Sequence, residues 1–372
     1  MTSLPRRPLL VGMYHVVALG DDRVQVATAG RSVVIGGLGA RATVRFLDAL
    51  DGTATTAELE TRFPEMAPDL LDALCQAALL TDGEGSDHDE RQVATALVVS
   101  PAEVADRLRP ATVAVVGCGP VGGAAAVLLA RAGVGHLLLL DTDVRRPAIR
   151  PARPVGLWPA EELVGLCRDA GSAAALSRGP AATHAPTSTS AWSGADLAVV
   201  ALGYEHRDAG PGPADLCLAR GQPYLVHSQD ALDAVVGPLV RPGGVPCHRC
   251  VEQRLESHRD HPKEHLAYRR QRAGVAPGLD AFLGAHVAVV AGLVATEALR
   301  GLLVEPGPTA GGVLVVDLDR LSVVREPVLA VPGCRACAAA AGLGPASGRS
   351  GPGPRSGGRS GPDHKAPHLG FD

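Results

Sequence analysis

The stretch Val113-Ala-Val-Val-Gly-Cys-Gly-Pro-Val-Gly-Gly123, running on to Leu137-Leu-Leu-Leu-Asp141-Thr-Asp143, decides the fold. An apolar run of strand length, a glycine turn, a small-residue helix and a second apolar run ending in carboxylates follow in that order. Gly117, Gly119 and Gly122 have the G-x-G-x-x-G spacing, and Asp141 stands 19 residues beyond Gly122. Gly117 permits the tight turn, Gly119 lets backbone approach a phosphate, and Gly122 lets the helix sit on the strand. A carboxylate at the end of the second strand can hold ribose hydroxyls, and phosphate would meet the positive end of the helix. The glycine spacing alone says little. With strand, helix, second strand and acid in place it predicts a βαβ unit of nucleotide-binding ancestry, with Asp141 and Asp143 as candidate cofactor residues. Whether a nucleotide is still bound is a separate question.

Working outward, 372 residues are too many for one average domain. Hydrophobic content of 46% with 20% charged residues fits a folded chain. A net charge of −4 gives no global attraction to nucleic acid or to an anionic membrane. There is no N-terminal apolar run with a cleavage site and no uninterrupted apolar segment of 18 residues, so a cytoplasmic protein is expected. In that compartment eight cysteines argue for metal or free thiols rather than disulfides.

Residues 8–82 read as a separate unit. Tyr14–Leu19, Asp21-Asp22 and Val24–Ala27 suggest a hairpin, and Arg31–Ile35 a third short strand. Three helices follow: one carrying Val44, Phe46, Leu47 and Leu50, one opened by the capping box Thr55-Thr-Ala-Glu58, and one bearing Leu70, Leu71, Leu74 and Leu79. This small winged-helix-like α+β order resembles the PqqD-like leader-peptide recognition element of enzymes that modify ribosomally made peptides. The resemblance implies that a leader peptide adds as a strand beside the third strand. The groove would involve Ser32, Val33, Val34 and Ile35 together with Leu70, Leu71 and Leu74. A structural cap and a helix-turn-helix DNA binder are the alternatives. Asp69 and Asp72, with no Arg or Lys on the third helix, suit phosphates poorly.

Residues 83–109 are expected to be a polar link and a connecting helix, and 110–340 the main domain. Within it, the sequence suggests a helix around 159–175, strands at 196–202, 224–228 and 234–240, helices at 251–271 and 281–302, and a hairpin from Val313 to Arg325. From 341 onward the Gly, Ser, Pro and Arg content predicts a disordered tail.

Cys247-x-x-Cys250 and Cys334-x-x-Cys337 are two knuckles with the spacing that places four thiolates around zinc. With no open position such a site is structural. A thioredoxin-like redox pair is the alternative. Cys75, Cys118, Cys167 and Cys217 are lone and read as core thiols, with Cys167 or Cys217 as a less favoured transfer nucleophile.

The glycine turn, Asp141-x-Asp143 and the late paired cysteines together resemble the E1/ThiF/MoeB superfamily over about 110–340. Gly237-Pro-Leu-Val-x-Pro-Gly-Gly-x-Pro-Cys-x-x-Cys further resembles the divergent ThiF-like branch of azole-forming peptide biosynthesis. The implied fold is α/β, a Rossmann-like domain with a mixed sheet and structural zinc behind the small α+β domain. The superfamily adenylates a carboxylate with ATP and Mg²⁺, whereas the branch delivers a precursor peptide to a separate YcaO-type cyclodehydratase. The sequence departs from the adenylating members. No Asn-Leu-x-Arg-Gln run follows the second strand, where Arg145-Arg-Pro-Ala-Ile-Arg150 stands instead. No lysine precedes Lys263, and no Asp-Asn pair follows 197–201, leaving Glu205 or Asp208 as poor substitutes. Triphosphate chemistry needs cationic clamping and a placed metal, so no catalytic residue is assigned.

His258, His261 and His265 fall on a charged, solvated helix, and His227 reads as a satisfied core histidine near a strand end. The expected partners are a leader peptide and a YcaO-type cyclodehydratase, with a second copy of the chain as a further candidate, and neither nucleic acid nor membrane. A nicotinamide-linked oxidoreductase is disfavoured by the knuckles.

Overall fold

The computed structural model describes residues 4–10, 15–27, 32–77, 79–83, 93, 97, 101–141, 160–178, 194–201, 212–230, 232–259, 261–264, 267, 283–304, 307 and 309–340. Asp143, Arg145, Arg146, Arg150, Glu205, Asp208, His265, most of the expected link at 84–92 and the expected tail lie outside them.

The first part of the chain builds its own core. Strands β1 (Pro8–Leu10), β2 (His15–Leu19), β3 (Arg23–Ala27) and β4 (Ser32–Gly36) precede helices α1 (Ala40–Asp48), α2 (Thr56–Arg62) and α3 (Ala67–Gln76), then β5 (Leu80–Asp82). β2, β3 and β4 form an antiparallel sheet in that order, so β2 and β4 are its edges. Val24, Val26 and Ile35 turn inward onto Phe46, Leu59, Leu71 and Leu74, while Gln25 and Val34 turn outward. The capping box at the start of α2 forms as its sequence implies: Thr55 Oγ1 accepts from the Glu58 N–H, and Glu58 Oε2 accepts from the Thr55 N–H at 2.8 Å. β1 and β5 pair antiparallel, an arrangement that no periodicity in two three-residue strands could announce. Asp82 fastens this ribbon by accepting the N–H groups of Arg6 and Arg7 at 2.8 and 3.2 Å.

The second part is an eight-stranded mixed sheet. Helix α4 (Pro101–Leu108) leads into β6 (Thr112–Val116), α5 (Pro120–Arg131), β7 (His136–Asp141), α6 (Ala160–Asp169) and β8 (Ala173–Arg178). β9 (Leu197–Ala201), α7 (Pro213–Arg220), β10 (Tyr224–Asp230), β11 (Asp233–Val240), α8 (His248–Ser257) and α9 (Gly284–Leu303) follow. β12 (Gly312–Asp317), β13 (Ser322–Pro327) and α10 (Arg335–Ala340) end the described chain. The strand order is β13-β12-β11-β10-β9-β6-β7-β8. β8, β7, β6, β9 and β10 run parallel, and β11, β12 and β13 alternate antiparallel beyond them.

Strict alternation in the central strands separates two cores. Val113, Val115, Leu137, Leu139, Leu197 and Val199 face α4, α5, α6 and α9. Ala114, Val116, Leu140 and Ala198 face α7 and the cysteines. Strands buried on both faces read as continuous apolar runs, which is why their positions were legible while their two faces were not.

Two boundaries differ from the sequence reading. The helix expected at 159–175 stops at Asp169, and Gly171 at φ +90° turns the chain into β8, paired with β7 from His136↔Ala173 onward. Ala173-Ala-Ala has no strand propensity of its own, and pairing with the leucines of β7 overrides it. The helix expected at 251–271 is interrupted after Ser257, and helical residues resume at Pro262, where a proline suits a first turn. By length and composition α9 could cross a membrane despite Glu297 and Arg300, but Val287, Val290, Val294 and Ala298 sit in the main core.

At Gly122, an added Cβ would lie 1.9 Å from the Gly117 carbonyl oxygen, whereas at Gly119 it would meet nothing within 4 Å. Gly122→Ala is therefore expected to lower stability by about 2–4 kcal/mol, and Gly119→Ala by less than about 1 kcal/mol. Thermal denaturation of the two variants measures the difference.

Candidate functional site

The chain order reverses between β6 and β9, with β7 and β8 on one side and β10 on the other. The crevice outside the carboxyl ends at such a switch point is where open α/β sheets bind ligands. Gly117, at φ +96°, turns the chain there, and its N–H donates to Leu140 O at 2.9 Å. That bond sets the turn beside the end of β7, where Asp141 stands. Gly122 packs α5 onto the turn and against Ala201, and the empty space over Gly119 leaves backbone open to an approaching phosphate. The three glycines and the backbone of Asp141 are thus brought to one place, with open space over Gly119 among the described residues.

The four paired cysteines also converge. Sγ–Sγ distances are 3.9 Å for Cys247–Cys250, 3.8 Å for Cys247–Cys334 and 3.6 Å for Cys250–Cys337, and all four sulfurs lie within 4.8 Å of one another. Disulfide sulfurs would stand about 2.05 Å apart. Thiolates on a tetrahedral ion with Zn–S bonds of about 2.3 Å stand about 3.8 Å apart, the spacing found. The Val331 N–H points at Cys250 Sγ at 3.4 Å, an outer contact of the kind that orients a ligand. Burial pushes the Cys247 thiol well above its ordinary range, so a bound cation is what would hold it as thiolate. The donor set fits zinc, and it would tie the segment carrying α10 to the start of α8, 87 residues earlier.

Beside the cysteines lies a network that sequence reasoning missed. Tyr224, fully buried on β10, places its hydroxyl 2.8 Å from His248 Nδ1, and His248 Nε2 lies 3.0 Å from Asp215 Oδ1. With the tyrosine donating to Nδ1, the ring donates from Nε2. Arg249 closes on the same carboxylate, Nε to Oδ1 at 2.9 Å and Nη2 to Oδ2 at 2.6 Å, and reaches Glu252 through Nη1. The Gly212 N–H also donates to Asp215. Burial alone would raise the Asp215 pKa, but the bonds from His248 and Arg249 outweigh it and hold the carboxyl well below its ordinary range. The only signal in the sequence was that His248 and Arg249 lie inside a cysteine knuckle; Asp215 is more than thirty residues away and on another element.

Cys167 and Cys217 are buried, and burial pushes their thiols up to about 11 and about 12. Neither is a ready nucleophile. His227 is 4% exposed with Nδ1 3.3 Å from Val235 O, in keeping with a core histidine. His258 and His261 are exposed. In the small domain Ser32–Ile35 fall on the edge strand β4. Leu70, Leu71 and Leu74, at 7, 0 and 2% exposed, lie beneath it in the core, fixing α3 more than offering contact area.

Zinc analysis of the purified chain is expected to give one equivalent, lost in Cys334→Ser together with about 3 kcal/mol or more of stability. Because thiols must deprotonate to bind, retention should weaken as pH falls. Asp215→Asn should cost about 1–3 kcal/mol. The folded pKa is depressed, so the ionised carboxylate stabilises above its unfolded value of about 4, and that contribution disappears as pH drops through the lower folded value. Denaturation across pH 2–7 should therefore find the variant and the parent converging at the acidic end.

Residues 90–146 match the model of the ThiF family. No curated protein matches the sequence. Among solved structures, the microcin C7 biosynthetic enzyme MccB in complex with N-formylated MccA superposes with a TM-score of 0.65 at 18% identity, over 89% of this chain and 99% of that one. The E. coli MccB with ATP gives 0.65 at 19%, with the same coverage. A heterocyclase in complex with substrate and cofactor gives 0.61 at 16%, with 89% of this chain lying on 39% of the heterocyclase. At these identities the likeness speaks for the fold. Residues 90–146 are thus similar to the ThiF family, and the mixed α/β fold in which they sit is like that of MccB.

Proposed function

We propose that the chain is a leader-peptide-binding, ThiF-like scaffold that presents a ribosomally made precursor to a separate YcaO-type cyclodehydratase for azoline formation. The observation that carries this reading is β4. It is an edge strand of a small antiparallel sheet with a core of its own, and Val34 on its outer face is 52% exposed. Edge strands present a row of backbone donors and acceptors that an extended peptide can pair with. The expected 8–82, 83–109 and 110–340 division accords with this, as does the PqqD-like order of three strands and three helices. The heterocyclase in complex with substrate and cofactor and MccB in complex with N-formylated MccA are similar to this chain in fold. Zinc at Cys247, Cys250, Cys334 and Cys337 takes a structural role, and the departures around the glycine turn leave ATP and Mg²⁺ without their usual clamps.

A second reading is favoured by one observation, the open cradle over Gly119 beside Asp141. In it, the chain is an ATP-dependent adenylyltransferase activating a peptide or small-protein carboxylate, as the likeness to MccB with ATP suggests. ATP–pyrophosphate exchange in the presence of candidate peptides separates the two; exchange above background would replace the scaffold by the enzyme.

Titration of the full chain with candidate leader peptides should give micromolar dissociation constants, and nothing tighter than about 1 mM would sink the scaffold reading. Of the adjacent Val33 and Val34, one N–H faces β3 and the other the free edge. Val33→Pro and Val34→Pro, compared by circular dichroism and by titration, should include one folded variant with affinity weakened by about tenfold or more.

A further inference from the structure

A pocket of about 680 Å³, its open mouth included, lies beside the Asp215 network at the carboxyl ends of β9 and β10. Its floor comes from three neighbouring strands: Val200 pairs with Val226, and Val235 pairs with Ser228, so these side chains converge on the α7 and α8 side of the sheet. Val251 and Leu255 of α8 close the opposite wall. Val200 and Ala201 are consecutive in β9 and face opposite ways, Ala201 toward Gly122. The pocket therefore lies on the face of the sheet opposite to α5.

The chemistry of the lining selects the occupant. The floor and one wall are mainly valine, leucine and proline, while His227, Ser228 and the Asp215–His248–Arg249 network bring polar groups to the remaining wall. At the rim two carboxylates, Asp215 and Glu252, stand against one guanidinium, and Arg249 divides itself between them. Arg249 is already engaged by both carboxylates, which disfavours a ligand carboxylate, while the apolar floor disfavours any charge. The Ser228 hydroxyl, 7% exposed as a residue, adds one polar group of the kind that orients a bound backbone. The rim is also rigid, since Asp215 joins α7 to the cysteine-bearing turn of α8.

We infer that this pocket receives an uncharged apolar side chain, of leucine or phenylalanine size, from the peptide the chain handles. The source of the side chain rests on the scaffold reading above; the chemistry of the pocket does not. Occupation would hold the segment downstream of the leader against α8 while the leader lies on β4, giving one peptide two points of attachment.

Methyl spectra of the full chain, labelled at valine and leucine, test this with N-acetyl-leucinamide, N-acetyl-phenylalaninamide and N-acetyl-aspartamide. The first two should give saturable shifts confined to Val200, Val226, Val235, Val251 and Leu255, and the third none. Val235→Phe, or Leu255→Trp at the rim should the former unfold, should abolish the shifts. Absence of saturable shifts up to about 50 mM, or equal response to the aspartate compound, overturns the proposal. A leader peptide extended by a segment containing leucine should bind about tenfold tighter than the same peptide with aspartate there. Equal affinity for the two extended peptides counts against the pocket alone, whereas failure of the unextended leader to bind counts against the scaffold alone.

Discussion

The carboxyl end of the sheet depends on the approach of one backbone to another where α5 meets the turn after β6. The space for a Cβ at Gly122 is already taken by the Gly117 carbonyl, so only glycine allows the helix to seat there. From that contact the rest of the carboxyl end follows. The turn is held beside β7 by the bond to Leu140 O, Ala201 comes to rest against α5, and α5 packs along α9 in the larger core. The same contact gives the glycine spacing a reason that holds whatever ligand the turn meets. It is a packing requirement before it is a ligand requirement.

The other face of the sheet depends on a different device. Its core is smaller, with Tyr224 among alanines, cysteines and a few leucines and valines. Four sulfurs at thiolate spacing and the Tyr224–His248–Asp215–Arg249 network bring α7, α8 and α10 together over that face. A thiol cluster of a spacing that suits a metal, and charge-assisted hydrogen bonds, stand where apolar area is scarce. They also set the wall of the pocket, so that the stabilising cluster and the proposed apolar site are one construction.

Much of this was legible in the chain. The βαβ unit, the order of strands and helices in the small domain, the capping box at Thr55 and the two cysteine pairs each depend on residues close in sequence, where spacing alone fixes chemistry. The errors fell where neighbours in space decide. Ala173–Arg178 is a strand because β7 lies beside it, and β1 and β5 exist only through each other. The three leucines of α3 are buried, since a helical stripe of leucine reports a buried face without saying which surface remains open.

The sequence by itself determined the periodicities, the glycine turn and the thiol donors, because these are short-range matters of backbone freedom and ligand type. Only the tertiary structure decided that Cys247 meets Cys334 and that β4 is left as an edge. It also decided that Asp215, His248 and Arg249 close one wall of an apolar pocket. Those are convergences across tens of residues. They are set by which strand pairs with which and on which face each side chain lands, and no local pattern records that.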